Sequence, residues 1–289
     1  MEEGIFITGA SGNTGQELLR LLFEDDALKD ARVTCLSHPG GRRERILHFP
    51  VDIVEGDASS AESLQRAYRG EGTVIHISSI FHTPAVLAGC RPITRLIVVS
   101  STAVFSQYRR LAGTIEACER EIEHSAPPYT IVRPTMIYGT AEDRNVSRLI
   151  RLIHRYPVVP LPASGKTIFQ PVHVDDLASC IIAVLKQPAS IGKAYNIPGG
   201  SAHPLREIVR IIATLLKKRV RTIPVPIGLA GAAITLYEVL SRNPKIRREQ
   251  ILRLLEDKAF DYSPAAGELG YRPMSFTEGV SRQIQSMGL

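Results

Sequence analysis

The sequence predicts an α/β fold: a doubly wound parallel sheet with a smaller, mostly helical lobe at its C-terminal end. Three observations carry that expectation. The chain opens on an uncharged run, Ile5, Phe6 and Ile7, which suits a strand buried on both faces of a parallel sheet. Short apolar runs of the same kind recur as far as Ile197, alternating with helix-length amphipathic stretches. From Pro204 onward the pattern is mostly helical, with no internal repeat and no low-complexity tract. At 289 residues and 44% apolar content the chain can fill one large domain and a smaller lobe. The expected division is residues 1–165, completed by 171–198, for the sheet domain and 199–289 for a substrate-side lobe.

Gly4 to Thr8 is the first strand, and Gln16 to Phe23 continues as an apolar-periodic helix. Between them stand Gly9, Ser11, Gly12, Asn13, Thr14 and Gly15. In such a turn one glycine lets the chain reverse tightly, another lets backbone approach a diphosphate, and the third lets helix pack close to strand. The diphosphate would sit on the helix N-terminus, where free N–H groups and the dipole favour negative charge.

Arg32 to Leu36 is the second strand, running into Ser37-His38-Pro39-Gly40-Gly41-Arg42-Arg43. An acidic residue about twenty positions beyond the glycines would bind adenosine ribose hydroxyls. None is present there; Ser37, His38, Arg42 and Arg43 offer donors that suit a 2′-phosphate, so NADP is expected ahead of NAD. The plainer alternative is a basic surface turn.

Val51 to Val54 is a third strand, followed by Glu55-Gly56-Asp57-Ala58 and a helix from Ser59 to Arg69 that Ser59 or Ser60 would cap. Thr73 to Ile77 is a fourth, ending at Ser78-Ser79, and Arg95 to Val99 a fifth, with Ser100-Ser101-Thr102 at its tip. Ligands collect at the C-terminal ends of such strands, where these polar tips lie. Thr114 to His124 is a charged amphipathic helix, and Tyr129 to Val132 a sixth strand closed by Arg133-Pro134. Asn145 to Arg155 is helical, and Tyr156 to Pro162 reads as a proline-rich bend that breaks the pattern. Val172-His173-Val174-Asp175-Asp176 opens a helix through Leu185 with Asp175 as its N-cap, and Ala194 to Ile197 is the last strand of the sheet.

Lys and Arg exceed Asp and Glu by six, and the pI is near 9.2. The excess is scattered through 41–45, 217–221 and 245–249 without interleaved aromatics, so a solvated basic face is expected and a nucleic-acid partner is not. Cys35, Cys90, Cys118 and Cys180 show no CxxC spacing and no clustered histidines; they read as small core hydrophobes in a reducing compartment, with no metal site. The first strand begins at once, leaving no room for a signal peptide, and a cytoplasmic location is expected. Ile223 to Leu240, interrupted by prolines, glycines and Glu238, reads as a buried or amphipathic helix and not a membrane span.

Several stretches in a fixed order give a more specific resemblance: TGASGNTG (8–15), EGDAS (55–59), IVVSSTAVF (97–105), YTIVRPTMIYG (129–139), QPVHVDDLA (170–178), AYNIPGG (194–200) and LGYRP (269–273). Along nearly its whole length the chain resembles the extended short-chain dehydrogenase/reductase superfamily, the NAD-dependent epimerase/dehydratase group, which implies a Rossmann-type sheet. By that resemblance Gly9, Gly12 and Gly15 carry the diphosphate, Asp57 and Ala58 flank the adenine, Ser78 and Ser79 line the cofactor groove, and Pro134 passes the nicotinamide. The family's catalytic centre is a Tyr-x-x-x-Lys pair with a Ser or Thr upstream. Ser101 falls where the hydroxyl residue belongs, but the pair is missing: its positions fall near Leu111 and Ile115, neither of which can move a proton. Tyr108 lies nearby, with Ala112 four residues on. The chain is in this respect similar to the atypical NmrA-like regulators and to the respiratory complex I accessory subunit.

Two functions follow as expectations. One is an NADP(H)-dependent oxidoreductase or isomerase-like enzyme acting on a small organic molecule, with Ser101 catalytic. The other is a non-catalytic NADP(H)-binding sensor or assembly protein. His173, Asp175 and Asp176 read as structural, Arg133 as bound to an anionic substrate or paired internally, and Met136 and Tyr138 as pocket wall. The partner expected is a small molecule, and a homodimer stays open.

Overall fold

The computed structural model describes residues 4–124, 127–225 and 255–289, apart from the side chain of Ala163. In chain order it contains β1 (Ile5–Thr8), α1 (Asn13–Glu24), β2 (Val33–Ser37), β3 (Asp52–Glu55), α2 (Ala61–Ala67), β4 (Gly72–His76), α3 (Thr83–Gly89) and β5 (Ile93–Val99). It continues through α4 (Arg109–His124), β6 (Tyr129–Pro134), β7 (Ile137–Tyr138), α5 (Val146–Arg155), β8 (Val158–Pro162), β9 (Ile168–Phe169), β10 (Val172–His173) and α6 (Val174–Lys186). Then come β11 (Lys193–Ile197), β12 (His203–Pro204), α7 (Leu205–Leu215), β13 (Arg221–Val225), α8 (Ser263–Leu269) and α9 (Phe276–Ser286).

Seven strands form one parallel sheet in the order β11-β6-β5-β4-β1-β2-β3. The chain runs outward from β1 to β3, returns to β4 on the other side of β1, and runs outward again. That reversal leaves a crevice at the C-terminal ends of β1 and β4. Period-two alternation sends Ile5 and Ile7 to one face, packed with Leu18, Leu22 and Ile181 of α1 and α6. Phe6 goes to the other face, among Leu64, Val86, Ile115 and Ile122 of α2, α3 and α4. Burial on both faces is why these strands read as continuous apolar runs.

A separate core joins Tyr138, Ile150, Leu161, Ile212, Phe276 and Val280, so it draws on α5, β8, α7 and α9. After residue 255 the chain returns to the sheet: Ala265 and Tyr271 belong to the core beneath α1 and α6, and the Tyr271 hydroxyl donates to the Pro198 carbonyl at 2.6 Å.

Four local expectations need correction. Val158 to Pro162 is not a bend but the strand β8, paired in parallel with β13. Val159 and Leu161 point inward while Pro160 alternates with them, and in a two-stranded ribbon each strand is an edge, where proline is tolerated. The cap of α6 is His173, not Asp175: the His173 ring Nδ1 accepts the Asp175 backbone N–H at 3.2 Å. Tyr138 is not pocket wall, being fully enclosed beside the His173 ring. Ile223 to Val225 are strand residues of β13 rather than helix, and the remainder of the 223–240 stretch lies outside the described residues.

At the crevice, His76 ends β4 with no exposed surface. Its Nε2 stands 3.0 Å from the Ser79 carbonyl, which can only accept, so Nε2 carries the proton. Nδ1 then accepts from the Thr8 hydroxyl at 2.7 Å. The neutral ring thus ties the Ser78–Ser79 turn to the end of β1, and burial pushes its protonation down to about 4.

Two measurements test these packing statements. A methyl group at Gly279 of α9 would collide with the Tyr138 hydroxyl, so Gly279→Ala should destabilise the fold by about 1–3 kcal/mol in urea melts, the usual effect of overpacking. Between pH 6.5 and 4 the unfolded chain takes up a proton at His76 that the native state refuses, so this residue removes up to about 3 kcal/mol of stability on acidification. Asp176, pushed up to about 6 by burial, takes its proton in the native state first and works the other way. In Asp176→Asn the denaturation midpoint should therefore fall more steeply from pH 6.5 to 4.5 than in the parent chain.

Candidate active site

The three glycines between β1 and α1 do three different things. Gly9 has φ +83°, a conformation side chains resist, and a Cβ there would stand 2.8 Å from the Ser78 backbone nitrogen. Gly15 lies inside α1 with the Ala10 backbone 2.5 Å from where its Cβ would be, so the helix is seated directly on the turn. Gly12 is the N-cap of α1, and the nearest atom to a Cβ there is the Gly9 carbonyl at 3.2 Å. Its outer side is open. No side chain caps α1, and its first turn contains no acidic residue. Unshared N–H groups at an uncapped helix start, with backbone instead of side chains in front of them, fit a diphosphate.

The helix begins at Asn13, earlier than the periodicity indicates, which puts Asn13 and Thr14 in its first turn. Asn13 Nδ2 donates to Thr140 Oγ1 at 2.7 Å, and the Ser11 carbonyl accepts from Gln16 Nε2 at 3.3 Å. At the tip of β2, Ser37 is buried, and its carbonyl accepts from Gly56 N at 2.8 Å. His38 and Arg43 are exposed, while Arg42 reaches Glu142 at 3.3 Å.

The arginine that touches the glycine loop is Arg45, just beyond the Ser37–Arg43 stretch expected to meet the cofactor. Its Nη1 lies 3.3 Å from Asn13 Oδ1 and 3.4 Å from the Ser11 carbonyl, and its Nη2 is paired with Glu142. A short helical turn at Arg43–Arg45 aims the third arginine of the run inward, and no periodicity in a charge run marks which member that is.

Asp57 sits at the tip of β3, its carboxylate held below the usual range by the Ser59 backbone N–H and hydroxyl, each 2.8 Å away. Ala58 packs against the α2–α4 core. Ser78 lies 3.2 Å from Thr8, oxygen to oxygen. Pro134 ends β6, and its carbonyl accepts from the Thr102 hydroxyl at 3.2 Å. The tips of β1 to β6 thereby form one continuous edge.

Beside this edge lies a cavity of about 620 Å³, whose wall includes Ser101, Tyr108, Met136, Phe169, Lys258 and Phe260. Ser101 Oγ accepts the Ala103 backbone N–H at 3.1 Å, capping the short turn Thr102–Phe105. A lone pair is used there, and the hydroxyl proton is left to be donated. Tyr108, one residue ahead of α4, faces the same cavity. Segment 255–260 closes the far side: the Glu256 carboxylate accepts from Ser106 Oγ at 2.8 Å and Gln107 N at 2.7 Å. The Lys258 ammonium stands 5.0 Å from the Phe169 ring centroid and donates to the Glu256 carbonyl.

Leu111 and Ile115 are packed against the α2–α4 core. Arg133 is committed internally, with Nη2 2.6 Å from the buried Glu119 carboxylate of α4, which also accepts from Ser100 Oγ at 2.6 Å. All four cysteines are unpaired and buried, and burial pushes the thiols of Cys35, Cys90 and Cys180 up to about 12. Among the described residues no three His, Cys, Asp or Glu side chains stand together as metal ligands, and no helix is long and apolar enough to cross a membrane.

Comparison with known proteins agrees with this geometry. Residues 9–188 match the family model described as NAD(P)H-binding. The chain is 26% identical to a ceramide reductase of Caulobacter vibrioides over 84% of its own length and 80% of the relative's. It is 33% identical to NADH dehydrogenase [ubiquinone] 1 alpha subcomplex subunit 9 of Arabidopsis thaliana over 48% of its length, spanning 35% of that protein. In three dimensions it resembles UDP-glucuronic acid 4-epimerase from Bacillus cereus, solved with UDP-glucuronic acid and NAD, with a TM-score of 0.76 at 17% identity, covering 99% of both chains. A matched nucleotide-binding model, a seven-stranded parallel sheet and an uncapped glycine turn at its switch point agree: the chain belongs to the NAD(P)H-binding family, as an atypical member of the extended short-chain dehydrogenase/reductases.

Proposed function

We propose that the chain is an NADP(H)-dependent oxidoreductase that reduces a carbonyl group on a small organic molecule. The observation that carries this is that Ser101, whose hydroxyl proton is free to donate, and Tyr108 line the same cavity. Gly9, Gly12 and Gly15 hold the dinucleotide diphosphate on α1, the tips of β3 and β4 line its adenosine half, and Pro134 passes its nicotinamide. When bound, the cofactor supplies hydride to the carbonyl carbon. Ser101 donates a hydrogen bond to the carbonyl oxygen and fixes its position. Tyr108 gives that oxygen its proton and recovers one from solvent. The cavity wall is rich in aromatic side chains, and Glu256, Asp257 and Lys258 are bonded to their neighbours, which favours a neutral substrate body over a phosphorylated one. The name of the Caulobacter relative supports reduction as the reaction class. Four unpaired, buried cysteines fit a reducing compartment such as the cytoplasm.

The second reading is a protein that binds NADP(H) and uses it for stability or assembly. Leu111 and Ile115 at the places of the family's tyrosine and lysine favour it, as does the likeness to a respiratory-chain subunit.

Two experiments decide. NADPH consumption should be followed with a panel of neutral aromatic and alkyl ketones and with nucleotide sugars. Ser101→Ala and Tyr108→Phe should each lower kcat by about 10²-fold or more while NADPH affinity is unchanged. Tight NADPH binding without turnover of any ketone would give the second reading precedence. Gly12→Val tests the glycine turn itself: a Cβ there meets only the Gly9 carbonyl, at 3.2 Å, so the melting temperature should fall only slightly while affinity for both NADPH and NADH drops at least about tenfold in calorimetry.

A further inference from the structure

The loop after β2 lacks a carboxylate from Ser37 to Arg43, yet one is delivered to it from a hundred residues away. Glu142, in the loop between β7 and α5, places its Oε2 3.3 Å from Arg42 Nη1 and pairs the same atom with Arg45 Nη2. Arg45 is four-fifths enclosed and braced on Asn13 and the Ser11 carbonyl, so its guanidinium is fixed at the flank of the glycine turn. The Glu142 loop is also held from two other directions. Asn13 Nδ2 donates to Thr140 Oγ1, and Gln283 of α9 donates to the Thr140 carbonyl at 2.7 Å and to Asp143.

One carboxylate oxygen therefore serves two guanidiniums beside the turn that holds a dinucleotide's diphosphate, on the side of the β2 loop. A 2′-phosphate approaching that loop needs the same donors, and Glu142 is the anion already on them. We propose that Glu142 is a built-in competitor for the 2′-phosphate: NADP(H) binds by displacing it from Arg42 and Arg45, and the displacement removes one of the contacts that hold the 139–145 loop beside the glycine turn. A phosphate monoester carries about −1.5 to −2 at neutral pH against the carboxylate's single charge, so it wins the arginines, though at reduced net affinity. NAD(H), with no 2′-phosphate, leaves the Glu142 pairs in place. Glu142 thus sets how far the protein discriminates between the two cofactors.

This inference rests on the NADP(H) reading, and the experiment separates the two. NADPH and NADH are titrated calorimetrically into the parent chain, Glu142→Gln, Arg45→Ala and Arg42→Ala at fixed ionic strength. Glu142→Gln keeps a hydrogen-bonding side chain but removes the charge, and should tighten NADPH about three- to tenfold, the scale of a part-exposed charge pair, with NADH within about twofold. Arg45→Ala should weaken NADPH and spare NADH. Hydrogen exchange in residues 139–145 should rise on adding NADPH to the parent chain and not on adding NADH. If the arginine variants leave NADPH affinity unchanged, the NADP(H) reading itself fails. If they weaken NADPH while Glu142→Gln leaves it unchanged, the competitor role alone is overturned. Weaker NADH binding in Glu142→Gln, showing that the carboxylate holds ribose hydroxyls, would overturn it as well. Melting of each variant without cofactor confirms that the comparison is among folded proteins.

Discussion

The close approach of backbone to backbone at the head of the sheet is the constraint on which the rest depends. Gly9 lets the end of β1 touch the turn after β4, and Gly15 lets α1 sit on the glycine turn itself, so strand, turn and helix meet with no side chain between them. This seating exposes the N–H groups of α1 to the crevice created by the strand order. The buried His76 locks the opposite bank, using one ring nitrogen for each side of the junction. A fully formed groove edge therefore exists before any ligand arrives, and its rigidity comes from packing and neutral hydrogen bonds rather than from surface charge.

Helix α4 is given over to structure. Its inner face is Ile115 and Ile122, and its one buried carboxylate, Glu119, is engaged by Arg133 and Ser100. Removing one partner of such an enclosed pair leaves an uncompensated charge and destabilises strongly, so the network ties α4 to the ends of β5 and β6. Polar side chains gather instead at the turn before the helix. Ser101 and Tyr108 flank that turn, and the Glu256 carboxylate from the far end of the chain fixes its backbone and the Ser106 hydroxyl between them.

The two halves of the candidate site are joined by polar contacts that cross large sequence distances. Arg45 and Glu142 link the β2 loop to the loop ahead of α5, and Gln283 carries that connection to the last helix. Glu142 is half exposed, and part-exposed ion pairs contribute modestly to stability, which suits this crossing to responding to an anion more than to holding the fold.

The sequence by itself determined the fold class, because burial on both faces of a parallel sheet writes uninterrupted apolar runs, and because only glycine satisfies the positive φ and close approach at Gly9 and Gly15. Local signals misplaced what depends on partners. The proline-rich stretch became β8 because β13 supplied a strand to pair with it, and His173 displaced Asp175 as a cap because its ring reaches the N–H of the second helical residue, Asp175 itself. Which arginine of the 41–45 run faces inward, which acid meets it, and which segment closes the cavity over Ser101 were decided by tertiary structure alone. Each rests on residues about thirty to a hundred and fifty positions apart, and no periodicity or propensity, both of which are local, encodes a contact over such a span.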